Sequence, residues 1–201
     1  MQVGVIDYGS GNTGSVLNAF ERIGHVALLS KDLRLLSSCT HLVLPGVGSF
    51  PAAKEKLDKV MSESDLRDLI LGSRAFLGVC VGMQLLCDSG DENGVTAGYG
   101  YFSGNVGSIP GAPVLPHMGW NNLEDIDGSN PLLKGVSEND DFYFVHSYCL
   151  IGGDYSQIGA NVEYGSRFPA VVKNNNVYGV QFHPEKSAGA GAKLLKNFLA
   201  L

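Results

Sequence analysis

The sequence predicts an α/β protein with a central, mostly parallel sheet flanked by helices and additional antiparallel strands in the second half. Three observations predict it. Up to about residue 95, short apolar runs alternate with segments of helical period, the pattern of a sheet covered on both faces. Residues 98–182 are short alternating segments separated by turn signals at Ile109-Pro110-Gly111, Asp127-Gly128, Gly152-Gly153 and Asn174-Asn175-Asn176, as in hairpins packed on the α/β half. Residues 191–201, GAKLLKNFLAL, close the chain as an amphipathic helix.

The elements follow in order. QVGVID (2–7) reads as a short buried strand. GSGNTGSVLNAFERIG (9–24) is a Gly-rich turn and a helix, with Val16, Leu17, Phe20 and Ile23 at helical spacing. HVALLS (25–30) and HLVL (41–44) are the next strands, and PGVGSF is a sharp loop after the second. Residues 50–72 are helical with a break near Ser62–Ser64. AFLGV (75–79) is an apolar strand, and VGMQLLCDS (81–89) continues as a helix. No repeat, linker or low-complexity tract divides residues 1–201, so one domain is expected.

Composition narrows the function classes. The net charge of −6 disfavours nucleic acid, since nothing would neutralise a run of phosphates. Charged or polar residues interrupt every apolar stretch before membrane-spanning length. The N-terminus opens as a strand without a basic n-region, which argues against secretion. Cys39, Cys80, Cys87 and Cys149 lack metal-ligand or disulfide-framework spacing, so free thiols in a reducing, cytoplasmic setting and no metal are expected. The 27 glycines are dispersed and signal tight turns.

One motif is a decoy. Gly9-Ser10-Gly11-Asn12-Thr13-Gly14 fits G-x-G-x-x-G between a strand and a helix, with Asp32 near the end of the next strand. Taken alone it suggests a dinucleotide. The rest of the chain points to different chemistry, so a tight strand-to-helix turn is the preferred reading.

Cys80 carries that chemistry. It stands between Gly78 and Gly82, where a strand turns abruptly into a helix. Such an elbow strains the residue at the turn and pushes its side chain clear of the sheet, as in G-x-S-x-G hydrolases. Unpaired N–H groups at the following helix start favour thiolate and can hold an oxyanion. His183 follows the strand 177–182, and Pro184 biases it toward extended backbone. Glu185 then points the same way as His183 and can orient its imidazole. Nucleophile, base and orienter are thus supplied. The loop Pro45-Gly46-Val47-Gly48 belongs at the same sheet edge and can complete an oxyanion site with the N–H of Val81. His25 and His41 begin strands and are read as structural. His117 and His146 are given no catalytic role.

These residues together resemble the class I (triad) glutamine amidotransferases: GVCVGMQLL at 78–86, PGVG at 45–48 and HPE at 183–185 stand in that family's order and approximate spacing. IDYGSGN (6–12), PHMGWN (116–121), FYFVHSY (142–148) and GVQFHPEKS (179–187) narrow the resemblance to the glutaminase subunits of imidazole glycerol phosphate synthases. PHMGWN is the most discriminating piece. The resemblance implies a flavodoxin-like fold and glutamine hydrolysis by Cys80, His183 and Glu185. It places Gln84, Ser147 and Tyr148 on the substrate and Gly46, Val47, Gly48 and Val81 at the oxyanion. It places Asn12, Trp120, Tyr143 and Lys186 at the interface with a partner, a (β/α)₈ cyclase subunit that forms a heterodimer and receives ammonia. No cofactor is implied. Residues 87–95 and 99–115 depart from the family pattern and are expected to lie away from the triad. The competing readings are glutaminase subunits for pyridoxal phosphate, anthranilate or carbamoyl phosphate, against which PHMGWN argues. A non-catalytic thiol-fold binding module is a further one, disfavoured by the intact His183 and Glu185.

Overall fold

A computed structural model of the chain describes residues 1–9 and 12–201. The first half alternates as expected: β1 (Val3–Ile6), α1 (Thr13–Arg22), β2 (Ala27–Ser30), α2 (Leu33–Ser37), β3 (His41–Gly46), α3 (Phe50–Val60), α4 (Glu63–Gly72), β4 (Ala75–Cys80) and α5 (Val81–Leu85). The second half contains β5 (Cys87–Gly90), β6 (Thr96–Ala97), β7 (Phe102–Ser108), β8 (His117–Asn122), β9 (Asp141–His146), β10 (Tyr148–Ile151), β11 (Ile158–Glu163), β12 (Arg167–Asn174), β13 (Val177–Val180) and α6 (Ala188–Leu199).

The main sheet has seven strands in the order β11-β12-β13-β4-β3-β1-β2. β1, β2, β3, β4 and β13 run parallel, and β11 and β12 add antiparallel strands at one edge. Strands β1, β3, β4 and β13 are buried along their whole length, which is why they read as continuous apolar runs rather than alternations. Helix α1 buries Val16, Ala19 and Phe20; complete burial of a side chain such as Phe20 stabilises by about 2 kcal/mol. The break between α3 and α4 falls at Ser62. Its hydroxyl accepts from the Asp65 N–H while the Asp65 carboxylate accepts from the Ser62 N–H, a reciprocal cap that starts a new helix.

Three expectations are corrected. The helix after Cys80 ends at Leu85, and residues 87–90 form strand β5, which pairs parallel with β7 and antiparallel with β6. Gly90 packs edge to ring on Phe50, where a Cβ would stand 2.7 Å from the aromatic carbon. The antiparallel strands do not form one separate layer: β13 lies parallel to β4 and extends the main sheet. The remainder form a sheet ordered β10-β7-β5-β6 and a two-stranded ribbon, β8-β9. Helix α2, absent from the sequence reading, begins at Asp32, whose carboxylate accepts from the Arg34 N–H at 2.8 Å. Asp32 is therefore a helix cap. Of the dinucleotide-like turn, Gly9 and Asn12 have φ of 75° and 77°, while Ser10 and Gly11 lie outside the described residues. Among the described residues, no helix is long and apolar enough to cross a membrane.

Candidate active site

Cys80 ends β4 and caps α5 with φ 53° and ψ −114°, a conformation that costs an L-residue of order 1–3 kcal/mol and persists only where its surroundings enforce it. Gly78 and Gly82 enforce it by close approach. A Cβ on Gly78 would stand 2.7 Å from the Met83 Cα, and one on Gly82 would collide with the Leu44 carbonyl. The neighbouring strand contributes Gly46, whose Cα is in register with Cys80; a Cβ there would strike the Gly82 N–H and the Val81 backbone. The thiol thus sits where β3, β4 and β13 all end, outside the carboxyl edge of the sheet.

His183 lies three residues beyond β13 and is held by its backbone. Its N–H donates to the Tyr143 carbonyl at 2.9 Å, and its carbonyl accepts from the Ser187 hydroxyl at 2.6 Å. The Ser187 oxygen also accepts from the Tyr143 N–H at 3.0 Å, which staples the His-Pro-Glu turn to β9. The imidazole pairs with the buried Glu185 carboxylate, Nδ1 to Oε1 at 2.7 Å. An ionised carboxylate only accepts, so Nδ1 carries hydrogen and Nε2 is the nitrogen available to the thiol. Burial alone would push this imidazole toward the neutral form. The hydrogen bonds to Cys80 and Glu185 outweigh burial and raise its pKa well above the usual histidine range.

Glu185 has a second partner. The Asn12 side-chain amide donates to the same Oε1, so Asn12 faces the triad. Trp120, Tyr143 and Lys186 stand together on one side of the β8-β9 ribbon. Trp120 is 54% exposed and meets Tyr143 edge to face at 5.8 Å, and the Lys186 ammonium lies 5.6 Å from the Tyr143 ring centre. Trp120 and Tyr143 are cross-strand partners in the β8-β9 ribbon.

A cavity of about 330 Å³ opens at Cys80. Val47, Gly48 and Val81 line it on one side, Gln84, Ser147 and Tyr148 on another, and His183 and Lys186 complete the wall near the triad. Gly48 has φ 90° and open space where a Cβ would be, so the loop after β3 can approach a ligand with its backbone. Gly46 lies beneath this loop and acts through packing. The amide nitrogen of Gln84 is already committed to the Tyr148 carbonyl at 2.8 Å and to Gln181 Oε1 at 3.0 Å, which leaves its oxygen to meet a ligand.

Sequence reasoning missed Glu92. It belongs to the segment expected away from the triad, yet it lines the cavity, and its carboxylate accepts from the Phe50 N–H at 2.8 Å at the start of α3. That fixes a carboxylate group in the cavity wall. All four cysteines are buried, and of them Cys80 lines the cavity. Burial raises the pKa of the Cys39, Cys87 and Cys149 thiols, that of Cys149 to about 12, which keeps them protonated and inert.

Thiol, imidazole and carboxylate meet at the carboxyl edge of a doubly wound sheet, an arrangement suited to nucleophilic acyl transfer. Residues 4–201 match the family Glutamine amidotransferase class-I, and the chain belongs to that family. Relatives within the family include imidazole glycerol phosphate synthase subunits HisH. That of Caldanaerobacter subterraneus subsp. tengcongensis is 43% identical, covering 98% of this chain and 96% of the relative. Subunit HisH 1 of Vibrio vulnificus is 44% identical, covering 100% and 98%. Among solved structures, one described as glutamine amidotransferase superposes with a TM-score of 0.77 at 20% identity, covering 100% of this chain and 98% of the other. PurLQS from Thermotoga maritima superposes at 0.75 and 20% identity, covering 99% and 97%; at these identities the likeness concerns the fold.

Proposed function

We propose that this chain, as a single amidotransferase domain, is the glutaminase subunit of an imidazole glycerol phosphate synthase in histidine biosynthesis. It hydrolyses glutamine and delivers the ammonia to a (β/α)₈ cyclase subunit in a cytoplasmic heterodimer. The cyclase uses it to form imidazole glycerol phosphate and an aminoimidazole carboxamide ribotide. The observation that carries the chemistry is the strained Cys80 facing a histidine whose Nδ1 is locked to a buried Glu185.

The steps follow from the geometry. The Cys80 sulfur attacks the side-chain amide carbon of glutamine, its proton passing to His183 Nε2. The N–H of Val81 and the loop of Val47 and Gly48 hold the oxyanion. The C–N bond breaks, the nitrogen takes the proton from His183 and leaves as ammonia, and a glutamyl thioester remains. Water, deprotonated by His183, attacks the thioester. Glutamate leaves and the thiol is restored. Glu185 keeps the imidazole tautomer throughout, with Asn12 steadying its carboxylate. Glu92 matches the α-ammonium of glutamine, and Ser147, Tyr148 and Gln84 hold the amino-acid end. Ammonia in neutral water becomes ammonium and loses its nucleophilicity, which favours direct transfer past Trp120, Tyr143 and Lys186.

The test is glutamate release from glutamine by the purified chain, alone and with a cognate cyclase plus its ribonucleotide ligand. A large increase in the ternary mixture is expected. Equal activity in both conditions keeps the triad but assigns a different acceptor. No activity in either, with Cys80 reduced, leaves the non-catalytic thiol-fold reading.

A further inference from the structure

We propose that Gln181 is a further catalytic residue: its side-chain N–H holds the Cys80 sulfur in the attacking position, and Gln84 fixes which end of the Gln181 amide faces that sulfur. Gln181 follows β13 directly and is completely buried. Its backbone N–H donates to the Ala170 carbonyl at 2.8 Å, so its side chain has a fixed origin. The Nε2 atom lies 3.7 Å from the Cys80 Sγ, within range of an N–H···S contact.

The two ends of a side-chain amide are chemically opposite, so its orientation follows from its neighbours. The Tyr148 carbonyl can only accept. It takes one hydrogen bond from Gln84 Nε2 at 2.8 Å and another from His146 Nδ1 at 2.9 Å. Gln84 therefore turns its nitrogen toward Tyr148. The second hydrogen of that nitrogen points at Gln181, 3.0 Å away, and requires an oxygen there. The Gln181 oxygen thus faces Gln84, and its nitrogen faces Cys80. No alternative orientation satisfies all three groups.

A completely buried amide is costly unless its polar atoms are matched. An apolar side chain would fill the same volume more favourably if Gln181 served packing alone. A donor on the sulfur has a use at each stage. It favours the charged thiolate over the thiol. It also selects the sulfur position between the Gln181 nitrogen and His183, and the contact weakens once sulfur becomes the neutral thioester. The interaction is therefore strongest before attack, and it aids the return of sulfur as leaving group in the second half-reaction.

The experiment follows alkylation of Cys80 by iodoacetamide as a function of pH, read by peptide mass spectrometry, in the wild-type chain, Gln181→Met and Gln181→Glu. Met removes both ends of the amide. Glu keeps an oxygen for Gln84 and replaces the N–H facing sulfur. The pH of half-limiting alkylation is expected to rise by about one unit in both, as for loss of one hydrogen bond to a charged form. In complex with the cyclase, kcat for glutamine hydrolysis is expected to fall about tenfold or more with KM within about twofold. Folded variants with an unchanged alkylation profile would overturn the proposal. Should both variants fail to fold, Gln84→Met decides: it frees the Gln181 amide to rotate, and an unchanged profile there equally overturns the orientation argument. The proposal rests on Cys80 as nucleophile. Alkylation needs neither glutamine nor cyclase, so failure of the coupled glutaminase reading would appear separately, in the wild-type release assay.

Discussion

Cys80 shows how a single residue can trade stability for reactivity. Its backbone occupies a region that favours glycine, and the strain is what lifts the sulfur clear of β4. Cys80→Gly is therefore expected to raise stability by about 1 kcal/mol and abolish glutamate release, measured by chemical denaturation and by assay. Cys80→Ala, which keeps the strain, should abolish release with little change in stability and unchanged cyclase binding. Loss of binding as well would make Cys80 a structural residue. Glu185→Gln is expected to lower kcat by roughly 10²–10⁴-fold, because an amide oxygen no longer stabilises the imidazolium as a carboxylate does; steady-state kinetics in the complex checks it. The triad was legible in the sequence because each member sits in a short motif whose local geometry aims it. The contacts of Asn12 with Glu185 and of Gln181 with Cys80 were not, because they join residues 173 and 101 positions apart in the chain. No local pattern reports such a contact. Glu92 was hidden for a related reason: its segment departs from the expected helix and returns toward the site as a strand and turn.

At the scale of elements, the elbow is a packing problem solved with glycine. α5 descends so close to β3 that the Gly82 Cα faces the Leu44 carbonyl, and Gly46 faces Gly82 in turn. Gly82→Ala should destabilise the chain by about 1–3 kcal/mol, seen as a lower denaturation midpoint, and should reduce activity more than a remote destabilising change of equal size. The strand-helix alternation of the first half was readable because burial on both faces leaves unbroken apolar runs. The second half was readable only as short strands. Which sheet each strand joins depends on pairings such as Val180 with Val79 and Cys87 with Phe102, which are long-range choices that periodicity does not encode. The Asp32 cap shows the converse: a residue that fits a binding fingerprint by position can be spent entirely on starting a helix.

Across the whole molecule, two buried histidines set an acid limit. His146 Nδ1 donates to the Tyr148 carbonyl, His117 donates from Nδ1 to His146 Nε2 across 3.2 Å, and Asn121 donates to His117 Nε2 at 3.3 Å. Every ring nitrogen is used in a neutral tautomer. Burial lowers the pKa of His117 to about 4 and that of His146 to about 3, the latter also repelled by His117 and His183. Below the ordinary histidine pKa of about 6.5 the unfolded chain takes up protons that the folded chain does not, so stability falls as pH drops from there toward 4. His183 has the opposite sign: its raised folded pKa contributes stability that is fully present below the ordinary value and is lost as pH rises above it. The thermal midpoint should therefore fall between pH 6.5 and 5, with a shallower slope in His117→Gln. At the same scale, Trp120 and Met118, 54% and 62% exposed on one face of β8, are suited to a protein partner. Trp120→Ala should weaken glutamine-dependent synthesis in the complex more than it alters alkylation of Cys80. Unchanged synthesis would remove Trp120 from the interface.

The unequal surroundings of the four thiols make the protein its own counting device. All four are buried, but burial raises the pKa of the Cys39, Cys87 and Cys149 thiols, while Cys80 lines the cavity. A small electrophile applied to the native chain should therefore add one equivalent and stop. The label taken up would report the fraction of molecules with a competent elbow, without any engineered cysteine or any knowledge of the acceptor.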